Sequence, residues 1–349
     1  MVADRGAVAI FWVSVFIMAT FMGAPVRAGG PIIPKSAKLE LIFGGGCMLT
    51  EGVAAGPDGM IYFSDITVTS QCHDATGKFS GAGNIWRLDP ATNRAVIFRS
   101  PSGMSNGMKF DADGNLVIAE GADFGGRDIV RTDMKTGRSI ILAGLYEGRP
   151  FNSPNDLVID RRGRIYFTDP RYFGHEAIEQ PVQGVYRIDP DGKVTRIIAD
   201  AGKPNGVAIS PDQKTLYVND QDNGSFEMLD AATPVHRGRN ALLAYDLAPD
   251  GTATNGRVLV DWSPYDGGDG MTIDADGNLY VAVDDARAPG IYIYSPRGKS
   301  LGMISTGKDL PQNVTFGYGV DADLLYVAAG HSIYKIRLNA RGAHQGQGY

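Results

Sequence analysis

Cysteine is almost absent from this 349-residue chain: Cys47 and Cys72 are the only two, too few for a disulfide framework. Histidine is nearly as scarce, with five residues and no ligand spacing among them, which argues against a zinc centre. The 33 Lys and Arg are scattered among 39 Asp and Glu with no basic run, so a nucleic-acid footprint is excluded. After the first 30 residues, no stretch approaches the ~18–20 apolar residues that span a bilayer. Amphipathic helical patterns are missing there as well.

The one long apolar run is at residues 7–22, AVAIFWVSVFIMATFM, behind Arg5. Val26-Arg27-Ala28 then sets small or compact residues at −3 and −1 of a signal-peptidase site. Residues 1–28 are expected to be a secretory signal, and 29–349 one exported domain, periplasmic or extracellular, with no membrane attachment after cleavage. Asp4 weakens the positive flank and leaves an uncleaved anchor as the alternative. In an exported chain a Cys47–Cys72 bridge is reasonable. It would close about 25 residues and stabilise by roughly 3 kcal/mol in the chain-entropy model.

What the chain has in abundance is repetition. A polar Asp/Gly turn followed by a β-branched or aromatic strand reads PDGMIYFSD at 57–65, DADGNLVIAE at 111–120, DRRGRIYFTD at 160–169 and SPDQKTLYVND at 210–220. DADGNLYVAVD at 274–284 and DADLLYVAA at 321–329 complete six copies, spaced roughly 46 to 63 residues apart. A second strand-like element follows each: NIWRLDP, DIVRTDM, GVYRIDP, ALLAYDL, IYIYSP and SIYKIRL. The alternation within each copy is that of half-buried strands, and Asp-Gly supplies the tight turns. Six such units predict an all-β, six-bladed β-propeller, with residues 38–43 (KLELIF) completing the last blade. The long interval 221–265 reads as a loop inserted over one face.

Before each turn lies the segment expected to form the innermost strand, and here the copies diverge. They read TEGVAAGPDG with Glu51, MSNGMKFDADG with Asn106, SPNDLVIDRRG with Asn155 and KPNGVAISPD with Asn205. The fifth is GDGMTIDADG with Asp269, and the sixth is QNVTFGYGV with Asn313 or its neighbours. Asn and Asp favour turns by bonding their own backbone, which would explain any one of them. Their common phase, about eight or nine residues before the turn glycine or matching turn, points instead to side-chain oxygens converging on one axis. Two carboxylates and two amide carbonyls are the ligand set of a hard divalent cation, Ca2+ first, with Mg2+, Mn2+ or Zn2+ as alternatives.

The stretches TEGVAAGPDGMIYFSD, FNSPNDLVIDRRGRIYFTDPRY, KPNGVAISPD and GDGMTIDADGNLYVA resemble the regucalcin, gluconolactonase and luciferin-regenerating-enzyme family, and FNSPND…IYFTDP is similar to bacterial gluconolactonases. The likeness runs from about Glu51 to Val327. It implies Glu51, Asn155, Asn205 and Asp269 as metal ligands, Asp269 also as catalytic base, and Asn106, Asn155 and Asp156 at the substrate. It further implies a lactone or ester substrate, whose carbonyl the ion polarises while water attacks. The usual Glu-Gly-Pro is Glu51-Gly52-Val53 here, and Ser105-Asn106 replaces the arginine of animal members, which bears on sugar specificity. His175, beside Phe173 and Gly174, reads as a loop residue able to line the channel mouth.

Other motifs fail on context. Gly103-Met104-Ser105-Asn106-Gly107 matches a nucleophile elbow, but a strand pattern follows where a helix is required. The DADG turns place glycine at position four, not six, so they are not EF-hand loops. Gly44-Gly45-Gly46 lacks the Lys-Ser/Thr of a phosphate loop. The competing functions are a phosphotriester hydrolase on the same site and a binding propeller with a structural ion.

Overall fold

The computed structural model describes Met1 and residues 31–46, 49–66, 83–222 and 239–343. The expected signal, apart from Met1, and both cysteines lie outside the described residues. Among the described residues no helix is long and apolar enough to cross a membrane.

Six four-stranded antiparallel sheets make up the described chain, with one extra two-stranded ribbon at Leu145–Tyr146 and Arg149–Pro150. Their innermost strands are Leu49–Ala55, Ser105–Phe110, Leu157–Ile159, Pro204–Ile209, Gly268–Ile273 and Pro311–Phe316. Each of these neighbours the next, and the sixth neighbours the first, so the sheets form a closed ring of six blades. The all-β, six-bladed reading therefore holds. Closure is made by Glu40–Gly44, which pairs antiparallel with Ser332–Arg337 as the outermost strand of blade 6. Thr50 stitches the seam further, its backbone N–H and hydroxyl reaching Gly330 O at 2.7 and 3.1 Å.

The second strands differ from the half-buried expectation. Ile61–Ile66 is buried at every position, as are Leu116–Glu120, Ile165–Asp169 and Leu279–Val283. The reason is that each blade is covered on both faces by its neighbours. Ile61 and Phe63 pack toward blade 6 with Tyr326 and Ala328, while the intervening Tyr62 packs toward blade 2 with Met108 and Phe110. A period-2 strand with apolar residues of both parities is what such a position requires.

The Asp-Gly turns form as read: Gly59 and Gly114 take left-handed φ values of +79° and +78°, which glycine adopts without strain. In blade 4 Gln213 holds that place at +62°. The interval 221–265 is not one inserted loop. Its second half forms two strands of blade 4, Ala241–Leu247 and the nine-residue Ala253–Asp261, and residues 223–238 lie outside the described residues.

Candidate active site at the channel mouth

Register breaks in the inner strands build the site. Pairing with the second strand skips between Thr50 and Val53, Ser105 and Met108, Pro204 and Val207, and Gly268 and Met271. Each break is a bulge that frees the residue preceding a glycine: Glu51-Gly52, Asn106-Gly107, Asn205-Gly206, Asp269-Gly270. The glycines are needed because neighbouring bulges touch. A Cβ on Gly52 would lie 2.1 Å from Asn106 O, and one on Gly206 would lie 2.3 Å from Asp269 O. The six inner strands thus approach closely enough to ring one axis with their side chains.

Two blades depart from the acid- or amide-then-glycine pattern. In blade 3 Asp156 replaces the glycine after Asn155. Its carboxylate is fully buried and accepts the N–H groups of Leu157 at 2.8 Å and Val207 at 3.3 Å. Burial raises its pKa, and Lys109 opposes that rise. Asp156 was expected at the substrate; in the structure its two oxygens tie together the backbone of the blade 3 and blade 4 inner strands. In blade 6 the break lies between Pro311 and Asn313. Gln312 holds the ring position, and Asn313 takes the glycine place, its Oδ1 accepting Val314 N–H as Asp156 does for Leu157. Of the expected Asn313 or its neighbours, Gln312 is the one at the ring position, and its Oε1 accepts Gly330 N–H.

The ring is therefore Glu51, Asn106, Asn155, Asn205, Asp269 and Gln312, all between 3 and 7% exposed. It gathers negative charge. Burial, then Asp156 and Asp284, push the Glu51 carboxyl up to about 8. Asp269 is held well above the usual carboxylate range by burial first, then by Glu51, Asp284 and Asp156. Asn106 Oδ1, Asn205 Oδ1 and Asp269 Oδ1 are buried with no hydrogen-bond partner among the described residues. Buried oxygens without donors beside mutually repelling carboxylates suit a cation. Among the described residues no three His, Cys, Asp or Glu side chains cluster at metal-binding distance, so amide oxygens would have to complete the ligand set.

The remaining expected residue, His175, is outside the ring. It sits exposed on the rim, Nδ1 3.4 Å from Asp123 Oδ1 and its ring 4.1 Å from that of Phe124. That rim is tied down by Glu176, whose carboxylate accepts the N–H groups of Asp123 and Phe124 at 3.0 and 2.7 Å. Ser105 of the apparent nucleophile elbow begins a buried strand and bonds the hydroxyls of Ser64 and Ser102.

Sequence reasoning missed the acids that end the second strands. Asp65, Glu120, Asp169 and Asp220 are buried there, and Asp169 and Asp220 accept backbone N–H groups of Asn152, Ser153 and Lys203 just before the inner strands. The signal was present as the last residue of YFSD, VIAE, YFTD and YVND. In blade 5 that place is Val283, and the acid comes one residue later as Asp284, hence on the other face. There its Oδ1 accepts Gln221 Nε2–H at 3.1 Å.

Comparison with known proteins agrees with the geometry. Residues 50–331 match the model of the SMP-30/Gluconolactonase/LRE-like region. The gluconolactonase of Zymomonas mobilis is 35% identical over 259 residues, covering 70% of this chain and 65% of that protein, so the chain spans just under two thirds of that relative. The solved gluconolactonase of Xanthomonas campestris superposes with a TM-score of 0.70 at 26% identity, covering 90% of this chain and 99% of that one. For the fold alone, the calcium-binding protein regucalcin of Agrobacterium tumefaciens superposes at 0.67 with 19% identity, covering 91 and 99%. A closed six-bladed ring, an axial set of acids and amides, and a match over most of the chain place this protein in the SMP-30/gluconolactonase/LRE-like family.

Proposed function

We propose that the chain is an exported lactone hydrolase of the gluconolactonase kind, dependent on a divalent cation, calcium first. The observation that carries this is the ring of six inner-strand side chains, five of them at bulges, with buried, unpartnered oxygens on Asn106, Asn205 and Asp269. The gluconolactonase names of the Zymomonas and Xanthomonas proteins support the choice of substrate class. Glu51, Asn155, Asn205 and Asp269 would hold the ion, whose Lewis acidity polarises the lactone carbonyl and offsets the charge developing on its oxygen. Asn106, in the same ring, would hydrogen-bond the substrate, and His175 with Phe124 would offer an edge of the mouth for a substrate ring to rest against. Asp269 takes a proton from the water that adds to the carbonyl carbon. As the ring C–O bond breaks, that proton passes to the departing alkoxide, and the product is a hydroxy acid.

Asp269→Asn keeps a coordinating oxygen and loses the base. It is expected to retain calcium binding by calorimetry while kcat falls at least ~100-fold on a lactone panel. Glu51→Gln should weaken calcium binding and recover part of its activity in excess calcium. An Asp269→Asn enzyme as fast as wild type at saturating calcium would overturn the base assignment. If the wild type turns over no lactone, a binding propeller replaces this reading. Turnover of phosphotriesters alone would move the activity to that bond.

A further inference from the structure

Asn205 can serve a cation only if its oxygen, not its NH2 group, faces the axis, and nothing about an asparagine dictates that choice. The surrounding bonds do. Asn205 Nδ2 donates to Gln221 Oε1 at 2.6 Å and to Tyr172 Oη at 3.2 Å. Tyr172 has one hydroxyl hydrogen, and it is committed to Gln221 O at 3.0 Å, so toward Asn205 its oxygen accepts. Gln221 is itself oriented, because its Nε2–H donates to Asp284 Oδ1 and its backbone N–H is fixed on Lys203 O at 3.0 Å. An ionised carboxylate only accepts, so Asp284 sets which end of Gln221 faces Asn205. Turning the Asn205 amide over would bring two carbonyl oxygens within 2.6 Å of each other. Both Nδ2 hydrogens have acceptors in Gln221 and Tyr172, and Oδ1 is left buried without a partner.

We infer that Tyr172, Gln221 and Asp284 are positioning residues that lock the Asn205 amide with its oxygen toward the axis. The three come from the connections that follow the second strands of blades 3, 4 and 5. The loops of the mouth therefore orient the site as well as surround it. The cation part of this inference rests on the proposed function; the lock itself does not.

Two measurements separate them. In metal-free protein, the Asn205 side-chain NH2 protons should be protected from exchange by NMR, and Gln221→Leu should abolish that protection. Unchanged protection in Gln221→Leu would overturn the lock, whatever the protein binds. In calorimetry with calcium chloride, Gln221→Leu should bind about 10–100-fold more weakly, as for loss of a ligand's outer partner. Tyr172→Phe, a one-oxygen deletion that preserves packing, should give a smaller loss in the same direction. Adding Asn205→Asp to Gln221→Leu should restore affinity, since a carboxylate presents oxygen whichever way it turns. A loss that Asn205→Asp does not rescue would mean the relay serves only packing. Normal calcium affinity with protection lost would overturn the positioning role. A wild type that binds no divalent cation would sink the proposed metal dependence, while the exchange measurement still decides the lock.

Discussion

Glu120 shows what burying a repeated acid does. Its carboxyl lies between the blade 1 and blade 2 sheets, 2.6 Å from Arg99 Nη2. Burial nonetheless wins over Arg99 and pushes its pKa up to about 7, with Asp128 adding to the rise. A carboxyl raised on folding binds its proton more tightly in the native state. Its contribution is thus fully present below the unfolded value of 4.5 and is lost as pH rises through about 7. The span corresponds to about 3 kcal/mol at most. Glu120→Gln should therefore flatten the fall in stability between about pH 4.5 and 7 seen in urea titrations; an unaltered slope would show that other groups cause it. At this scale the sequence was informative where chemistry repeated in phase. Glu51, Asn106, Asn155, Asn205 and Asp269 all stand before a turn at one spacing. Gln312-Asn313 was ambiguous because two adjacent amides share the place and no glycine marks the bulge. Tyr172, Gln221 and Asp284 were illegible, since residues in connecting segments acquire their neighbours only from the packing of blades.

Strands were legible from alternation and turn residues, down to the closing strand near residue 40. What alternation does not display is a bulge, because one extra residue leaves the apolar pattern on both sides intact. The bulges matter most here, since they both present the ring side chains and bring adjacent blades into contact. Gly52→Ala tests that contact: its Cβ would meet Asn106 O at 2.1 Å and Gly107 Cα at 2.5 Å, both backbone atoms with little room to yield. The expected cost is about 3 kcal/mol or more, at or above the usual range for overpacking, read as a lower urea midpoint with an unchanged slope. By contrast a Cβ on Gly137, in an outer turn, meets nothing within 4 Å, so Gly137→Ala would suffer only from its left-handed φ of +73°. Equal losses at the two sites would deny the bulges any special role. Blades 3 and 6 meet the same constraint differently, with Asp156 and Asn313 where the other four have glycine, and the inner strand of blade 3 is cut to Leu157–Ile159.

For the whole molecule, the repeat count gave the blade number, and the closed ring gives meaning to the N-terminal boundary. The proposed cleavage after Ala28 would leave Glu40–Gly44 intact, and with it Ile32 and Ile33, which pack against the core between blades 5 and 6. Mature protein from an exporting host should begin at Gly29 or close to it by intact mass, and retention of residues 1–28 would favour an anchor. The seam beside that strand joins residues 280 apart, Thr50 and Gly330. Such a contact must wait until nearly all of the described chain is made, and the loop it closes is most of the protein. In the finished ring Glu51 and Gln312 lie on the two sides of this seam, on the first and the last inner strands. An ion that needs ligands from both sides of the seam would act as a clasp, binding weakly before the ends meet and holding them afterwards. Its concentration would then govern how long the finished ring stays shut as well as how fast it works.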